Sequence, residues 1–532
     1  MCGIAGAWGA IDGAGVTGEM LEVLRHRGPD ARGVHAAAAG AIGCARLAIV
    51  DVAGGDQPLY NAGGSTAVVA NGEIYNHLSL KEALGNTYQF TSGSDTEAII
   101  ALYEAYGVEA ASRLNGIFAF AIADGSNLVL GRDPLGVKPL YMGSHTNAGE
   151  QNELVFASEL KALLGRASEV RPLPPGCTFT PQEGVQRYYS VPEGWIGDRP
   201  TRRPMYADIR SKLESAVQSQ LMGDGPVGVF LSGGLDSSLV AAMARPHIGE
   251  LHTFAVGIEG SADLIAARQC ARHIQSRHHE RIITPLEIAE KLPEIIWRLE
   301  SYSSPLVRAA IPNYFCAELA SNHVKAVLTG EGADELFAGY GYHMDYRNPS
   351  ILHRELHRSV QELHRTNLQR ADRMSMAHSV EARVPFLDTG VVQCAMDISP
   401  QLKIVRPKPW SRRVGKWVLR QSFSGLLPDP LLWRPKETFN RGSGVDAAMP
   451  AILASFAGKQ SLPEYRAANP KDRIADAEEM VFHQLLFSAC GGARVLLDNV
   501  YHWKPDVLKE RHSAAAKLAR KLAPAYNRRG HS

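Results

Sequence analysis

Net charge of one sign is nearly absent from this chain: 56 Lys and Arg balance 55 Asp and Glu over 532 residues, a formal +1. No global field points to nucleic acid or an anionic membrane as the principal partner. Long apolar runs are also missing, so no membrane span is expected. The amino terminus lacks the basic segment and apolar core of a secretory leader. Cysteine is scarce, seven residues without a Cys-x-x-Cys pair, and a reducing cytoplasm is the expected home. No internal repeat of solenoid length occurs.

The chain is too long for one hydrophobic core, so two or more domains are expected. Up to about Pro200, short apolar runs alternate with glycine-rich turns, as in Ala67–Ala70, Gly116–Ile122 and Leu128–Leu130. With a helix near Thr96–Tyr106, this pattern is sheet-rich α+β. A stretch dense in proline and glycine, Arg171–Pro204, holds the expected boundary, giving domains 1–200 and 201–532. Beyond it, strands and helices alternate: Val227–Leu231, Leu251–Ile258, a helix from Asp263, then Lys325–Leu328. That order predicts a parallel-sheet α/β domain with ligands beyond the carboxyl ends of its strands. From about Asn348 the pattern turns helical, and the basic, alanine-rich tail Lys504–Ser532 reads as a solvated end.

Two stretches carry chemistry. In Gly228–Ser238 a buried strand runs through Leu231-Ser232-Gly233-Gly234-Leu235-Asp236-Ser237-Ser238 into an apolar helix. Glycines allow close backbone approach, and the helix N-terminus favours an anion such as pyrophosphate. No lysine follows the glycines, so the loop is not a P-loop, and Asp236 among the hydroxyls suits Mg²⁺. The second stretch is Cys2 with Gly3-Ile4. Removal of Met1 would put a thiol and an α-amine of pKa about 7.7 to 8.0 on one residue, an activated nucleophile without a histidine. The other six cysteines read as small buried hydrophobes.

The Ser-Gly-Gly-Leu-Asp-Ser-Ser string resembles the pyrophosphate loop of ATP pyrophosphatases. Cys2 resembles the nucleophile of class II glutamine amidotransferases, together with Arg25–Asp30, Arg46–Asp51, Asn71–Asn76 and Gly93–Glu97. That resemblance implies that Cys2 attacks the glutamine carboxamide, that Arg46 binds the α-carboxylate, and that Glu73 with Asp95 binds the α-amino group. Asn71 and the Gly72 N–H would form the oxyanion hole. Joined, the two halves resemble the glutamine-hydrolysing asparagine synthetases. Phe254–Gly257, Thr329–Glu335, Val380–Asp388 and Trp433–Glu437 extend the likeness to about Gly444.

The resemblance implies an amino-terminal nucleophile glutaminase of α+β fold, followed by an α/β ATP-pyrophosphatase domain of the adenine nucleotide alpha hydrolase-like kind. It implies glutamine, ATP and aspartate as substrates, with no nucleic acid or membrane partner, and a homodimer among expected assemblies. Leu231 and Val256 would lie near adenine, and Ser232, Gly233, Gly234, Ser237, Ser238, Thr329 and Gly330 at the ATP phosphates. Asp236 and Asp334 would hold Mg²⁺, and Lys436 would stabilise the departing phosphates. Glu331, in a glycine turn after a strand, is the expected general base. The string Ser303–Pro312 keeps Arg308-Ala309 but departs around it, so another carboxylic acid acceptor, in specialised metabolism, is the alternative. The helical stretch His353-Arg354-Glu355-Leu356-His357 reads as a solvated charged face rather than a metal site, and Asp372-Arg373 as helix surface.

Overall fold

A computed structural model describes residues 2–9, 12–145, 153–195, 206–456, 458 and 460–505. Met1, the proline-rich residues 196–205 and the tail beyond 505 lie outside the described residues. The expected removal of Met1, the expected boundary at 200 and most of the basic tail therefore fall outside them.

The first half forms two antiparallel sheets. β1 (Cys2–Trp8), β2 (Ala31–Ala37), β3 (Gly40–Arg46), β8 (Tyr141–His145), β9 (Glu153–Ala157) and β10 (Glu169–Pro172) make one, in the order β10-β8-β9-β1-β3-β2. The other contains β4 (Leu59–Tyr60), β5 (Thr66–Ile74), β6 (Gly116–Asp124), β7 (Asn127–Arg132), β11 (Cys177–Thr180) and β12 (Gly184–Arg187), ordered β12-β11-β7-β6-β5-β4. Their facing sides share a core of Ile4, Trp8, Ile42, Val69, Ala121 and Leu130. Helix α1 (Gly13–Val23) covers the outside of the first sheet. α2 (His77–Leu84) and α3 (Glu97–Tyr106) cover the second, α3 through Ile99 and Ile100 packed on Phe118, Phe120 and Ile122. Small residues at Ala5, Ala7, Ala119 and Ala121 let these layers approach closely.

In the second half, α4 (Tyr206–Ser219) leads into a parallel sheet of β13 (Val227–Phe230), β14 (His252–Gly257), β15 (Arg277–Ile282), β16 (Ala326–Leu328) and β17 (Glu381–Arg383). The spatial order is β15-β14-β13-β16-β17. The chain starts at the central strand β13, builds outward to β15, then returns to the other side of β13 with β16. The turns after β13 and β16 therefore open the crevice where strand order reverses, the usual ligand site of such sheets. Helices α5 (Leu235–Ala244), α6 (Ala262–Ile274), α7 (Pro285–Leu299), α8 (Ser304–Ser321) and α9 (Ala333–Phe337) follow or connect these strands. Then come α10 (Pro349–Gln361) and α11 (Asn367–Met376). β17 interrupts the helical region expected after Asn348: a three-residue strand with charged side chains at both of its ends offers no apolar run to read as a strand. Among the described residues no helix is long and apolar enough to cross a membrane.

Two surface expectations are overturned. Asp372 and Arg373 are buried at the junction of the halves. Arg27, fully buried, donates to Glu159 at 2.7 Å and to Asp372 at 2.8 and 2.9 Å. Arg373 donates to Glu300 at 2.9 and 3.1 Å, and Glu300 also accepts from the Leu160 and Lys161 backbone N–H groups at 3.2 and 2.7 Å. On α10, His353 and His357 meet the backbone carbonyls of Glu193 and Val191 at 2.6 and 3.1 Å. That face anchors the segment joining the two halves instead of meeting solvent.

Truncating one member of a buried ion network leaves the others unpaired, at a cost of about 3–5 kcal/mol. Glu300→Ala should therefore lower the calorimetric unfolding temperature and split one transition into two, as the halves lose their shared charges. A single transition at the parent temperature would show that the network contributes nothing to docking.

Candidate active site

Cys2 begins β1 and points into the space between the two antiparallel sheets, 4% exposed. Its backbone N–H donates to Asn71 Oδ1 at 3.1 Å, which orients the Asn71 amide. Asn71 Nδ2 is then left buried with no hydrogen-bond partner among the described residues. A buried donor without an acceptor is costly, and here it belongs to the side chain that meets the Cys2 backbone. At Gly72 the backbone has φ +133°, and a Cβ would fall 1.8 Å from the Ile117 carbonyl oxygen, so only glycine fits.

Cys44 is more than a small hydrophobe. The hydrogen bond from its thiol is the largest influence on Cys2 and draws the Cys2 thiol down to about 6, against burial and helped by the Leu47 backbone and Arg46. The Cys44 thiol itself is pushed well up, by burial and by this bond. Sequence could not show it, because pairing of β1 with β3 brings the two thiols together.

Arg46 spans a loop, donating to Val50, Asp51 and Val52 carbonyls at 3.1, 2.7 and 3.2 Å and to the Asp56 carboxylate at 2.7 Å. Glu73 and Asp95 are buried near one another. Burial above all, then the Glu381 and Asp95 charges, raises the Glu73 carboxyl well above its usual range, and Glu73 Oε2 has no hydrogen-bond partner. Asp95 is raised too, mainly by burial, although it accepts from Ile74 N–H at 2.6 Å. Two crowded carboxyls, one with an empty acceptor, form a natural ammonium site.

In the second half, a cavity of about 760 Å³ opens at the crevice between β13 and β16. Leu231, Ser232, Gly234, Asp236, Ser237, Val256, Thr329, Gly330, Glu331, Asp334 and Lys436 all line it. Gly233 and Ser238 do not: Ser238 is fully buried beside Cys270, and Gly233 shapes the backbone. At φ +67°, a Cβ on Gly233 would fall 2.3 Å from the backbone of Ala266. The Ser232 and Ser237 hydroxyls lie 3.1 Å apart at the start of α5, beside the free N–H groups of its first turn. Arg434 braces the loop, donating to the Ser232 carbonyl at 3.1 Å and to Asp263 at 2.9 Å.

Lys416 is the residue that sequence reasoning missed. It is 2% exposed, and its Nζ lies 2.5 Å from both Asp236 Oδ2 and Asp334 Oδ1. Lys436 Nζ is 2.6 Å from Asp334 Oδ2 and 3.8 Å from Asp236. Burial alone would raise the Asp334 carboxyl, but the two ammonium groups outweigh it and hold it far below the usual range. A lone lysine before a short helix carries no signal of a partner 180 residues away. Asp236 Oδ1 is buried without a hydrogen-bond partner, and the two carboxylates form the hard oxygen set that Mg²⁺ prefers, so the residues fit that ion.

Glu331 pairs with Arg370 on α11, which also donates to Asn313 at 3.0 Å. Its neighbour Glu335 lines the same cavity. Burial and then the Asp334 charge raise its carboxyl to about 7, and Tyr340 donates to it. Arg308, the landmark of the acceptor string, does not line the cavity; Glu478 and Asp446 hold it outside.

A family model described as a glutamine amidotransferase domain matches residues 1–178, and one described as asparagine synthase matches 208–350 and 344–481. The chain is 40% identical over 467 residues to the glutamine-hydrolysing asparagine synthetase 3 of Arabidopsis thaliana, covering 84% of this chain and 79% of that protein. It is 36% identical over 492 residues to the glutamine-hydrolysing asparagine synthetase B of Escherichia coli K12, covering 88% and 86%.

With the Cys2 thiolate as the expected nucleophile, glutamine turnover should be half-maximal near pH 6, to which the thiol is drawn down, and fall about tenfold per unit below it. Cys44→Ala removes the bond that stabilises the thiolate and should move this acid limb to higher pH, while Cys44→Ser should keep it near the parent's. Glutamate release across pH 5 to 9 reads the shift; superimposable limbs for parent and Cys44→Ala would remove Cys44 from the site.

Proposed function

The chain belongs to the glutamine-hydrolysing asparagine synthetases, and from that premise we propose how its own residues divide the work. The enzyme makes asparagine from aspartate, glutamine and ATP. We assign residues 1–200 to glutamine hydrolysis and 201–532 to aspartate activation and amidation, a division supported by the separate sheets of the two halves.

In the first half, Cys2 Sγ attacks the glutamine carboxamide carbon. Asn71 Nδ2 and the Gly72 N–H take the developing oxyanion, which is where an unpartnered buried donor is most useful. The glutamine α-carboxylate replaces Asp56 on the Arg46 guanidinium, and Glu73 with Asp95 receives the ammonium. Ammonia leaves first, and water then releases glutamate from the thioester.

Ammonia free in water is mostly ammonium and not nucleophilic. A dry route is supported by one apolar cluster that runs from Leu47, Ile49, Ile117 and Val137 of the first half to Leu231, Val384 and Leu387 of the second.

In the second half, the single observation carrying the assignment is the convergence on one cavity of the Ser232 loop, Glu331, Asp334 and Lys436. The aspartate β-carboxylate attacks the α-phosphorus of ATP and pyrophosphate leaves, cradled by Ser232, Gly234 and Ser237 and by the amides opening α5, with Gly233 shaping the turn. Leu231 and Val256 pack against adenine, Thr329 and Gly330 border the phosphates, and Lys436 faces the charge that builds on the leaving group. Asp236 and Asp334 would hold Mg²⁺, which when bound shields phosphate charge. Ammonia then attacks the acyl carbon and AMP departs, while Glu331, oriented by Arg370, accepts the proton that the nitrogen must lose.

Cys2→Ala should abolish glutamine-dependent synthesis and leave ammonia-dependent synthesis intact; loss of both in a folded variant would overturn the division of labour. Within the second half, Glu331 is needed only after the acyl adenylate exists. Glu331→Gln should keep aspartate-driven exchange of pyrophosphate into ATP and lose amide formation, whereas Asp236→Asn should lose both. Equal loss of exchange in the two variants would move Glu331 from proton transfer to substrate binding.

A further inference from the structure

The segment after the short helix Arg494–Leu497 lies beyond the region matched by the asparagine synthase model, which ends at residue 481. It nevertheless returns to the ATP cavity, where Tyr501 and Trp503 join Tyr340 and Tyr342 among the lining residues. Five separate contacts hold it there. The Arg358 guanidinium lies 3.9 Å from the centre of the Trp503 ring, and its Nη2 donates to the Lys504 carbonyl at 3.1 Å. Arg365 lies 4.2 Å from the centre of the Tyr501 ring. His502 Nδ1 is 3.5 Å from Glu479, and Asn499 Nδ2 donates to the Val170 carbonyl on β10 at 3.2 Å. Arg358 is itself fixed by the buried Glu355 at 2.9 Å.

A tail that merely ended the chain would not need two stacked guanidinium groups and a bond to the other half of the molecule. The rings of Tyr501 and Trp503 supply bulk through apolar faces, with the Tyr501 hydroxyl engaged by Glu362, and a planar guanidinium holds such a ring in place better than an ammonium. We propose that Tyr501 and Trp503 wall the synthetase cavity against water while the acyl adenylate waits for ammonia, with Arg358 and Arg365 as positioning residues. The side reaction they suppress is hydrolysis. Water adds to the acyl carbon, the bond to the AMP oxygen breaks, a proton is released, and aspartate re-forms at the expense of ATP split to AMP and pyrophosphate. This rests on the asparagine-synthesis assignment, which the parent enzyme tests separately: a parent that forms no asparagine refutes that assignment whatever the variants do.

The test uses the full chain with glutamine, aspartate and ATP, and counts pyrophosphate, asparagine and glutamate from the same reactions. In the parent, pyrophosphate and asparagine should form in a ratio near one. Trp503→Ala and Tyr501→Ala should raise that ratio severalfold with glutamate release unchanged, Trp503→Phe should stay near the parent, and Arg358→Lys should lie between. Circular dichroism and retained glutamine hydrolysis report the fold, and if an alanine variant fails to fold, Arg358→Lys carries the test. A parental ratio in the folded alanine variants, or in Arg358→Lys where they do not fold, overturns the proposal.

Discussion

One guanidinium fixes the geometry of this enzyme. Arg27 has no exposed surface, and a buried charge is tolerable only with partners on every side. Among the described residues its partners include the Cys2 carbonyl on β1 at 3.2 Å, Glu159 just after β9, and Asp372 on α11. The backbone of Cys2 is thus seated by a side chain that is satisfied only when the second half is docked. Two residues before Asp372, Arg370 leaves the same helix to hold Glu331. One helix therefore supports both the strand that begins with Cys2 and the Glu331 carboxylate proposed as the general base. The Glu300–Arg373 pair and the Arg383–Glu381 pair extend the same junction. Stable docking requires all these charges to be paired together, because any one left alone inside is costly.

Much of this was legible in the chain, and the part that was not has a common cause. Alternating short runs with glycine turns disclosed the sheet-rich first half, and the βα order disclosed the parallel sheet. The loop Ser232–Ser238 and the cysteine at position two were legible because their chemistry is local: a turn, a helix start, a thiol with its neighbours. What escaped was chemistry made by distant pairing. Asp372 meets Arg27 across 345 residues, and Lys416 meets Asp236 across 180. A charged residue in a helix looks the same whether it faces water or a partner from another domain. Cys44 escaped for the same reason on a smaller scale, since only strand register sets its thiol beside Cys2.

The strings Arg25–Asp30 and Val380–Asp388 show the same principle from the other side. They look like functional motifs, yet much of their work is architectural. Arg27 and Asp30 face the second half, the latter accepting from Lys325 at 2.7 Å, and Arg383 reaches back to within 3.7 Å of Glu73. A carboxylate expected to bind the glutamine ammonium is thereby influenced by a cation of the other domain, and Glu381 on the same strand pushes its carboxyl up. Charge placed to dock two domains also sets the electrostatics of a binding site.

Sheet order explains why the second site lies where it does. Because β16 returns beside β13, residues almost one hundred positions apart, Asp236 and Asp334, open onto one crevice from the ends of adjacent strands. A sheet wound in one direction only would have put β14 and β15 between them. The two carboxylates pair with cations in this buried place, and Lys416 and Lys436 supply them from a region of the chain with no strand in the sheet. The parallel sheet thus fixes the acidic half of the site, and the later helical segment contributes the basic half. Segments outside the sheet, from Arg370 on α11 to Trp503 near the end of the described chain, complete a pocket whose floor is built from strands and whose walls are not.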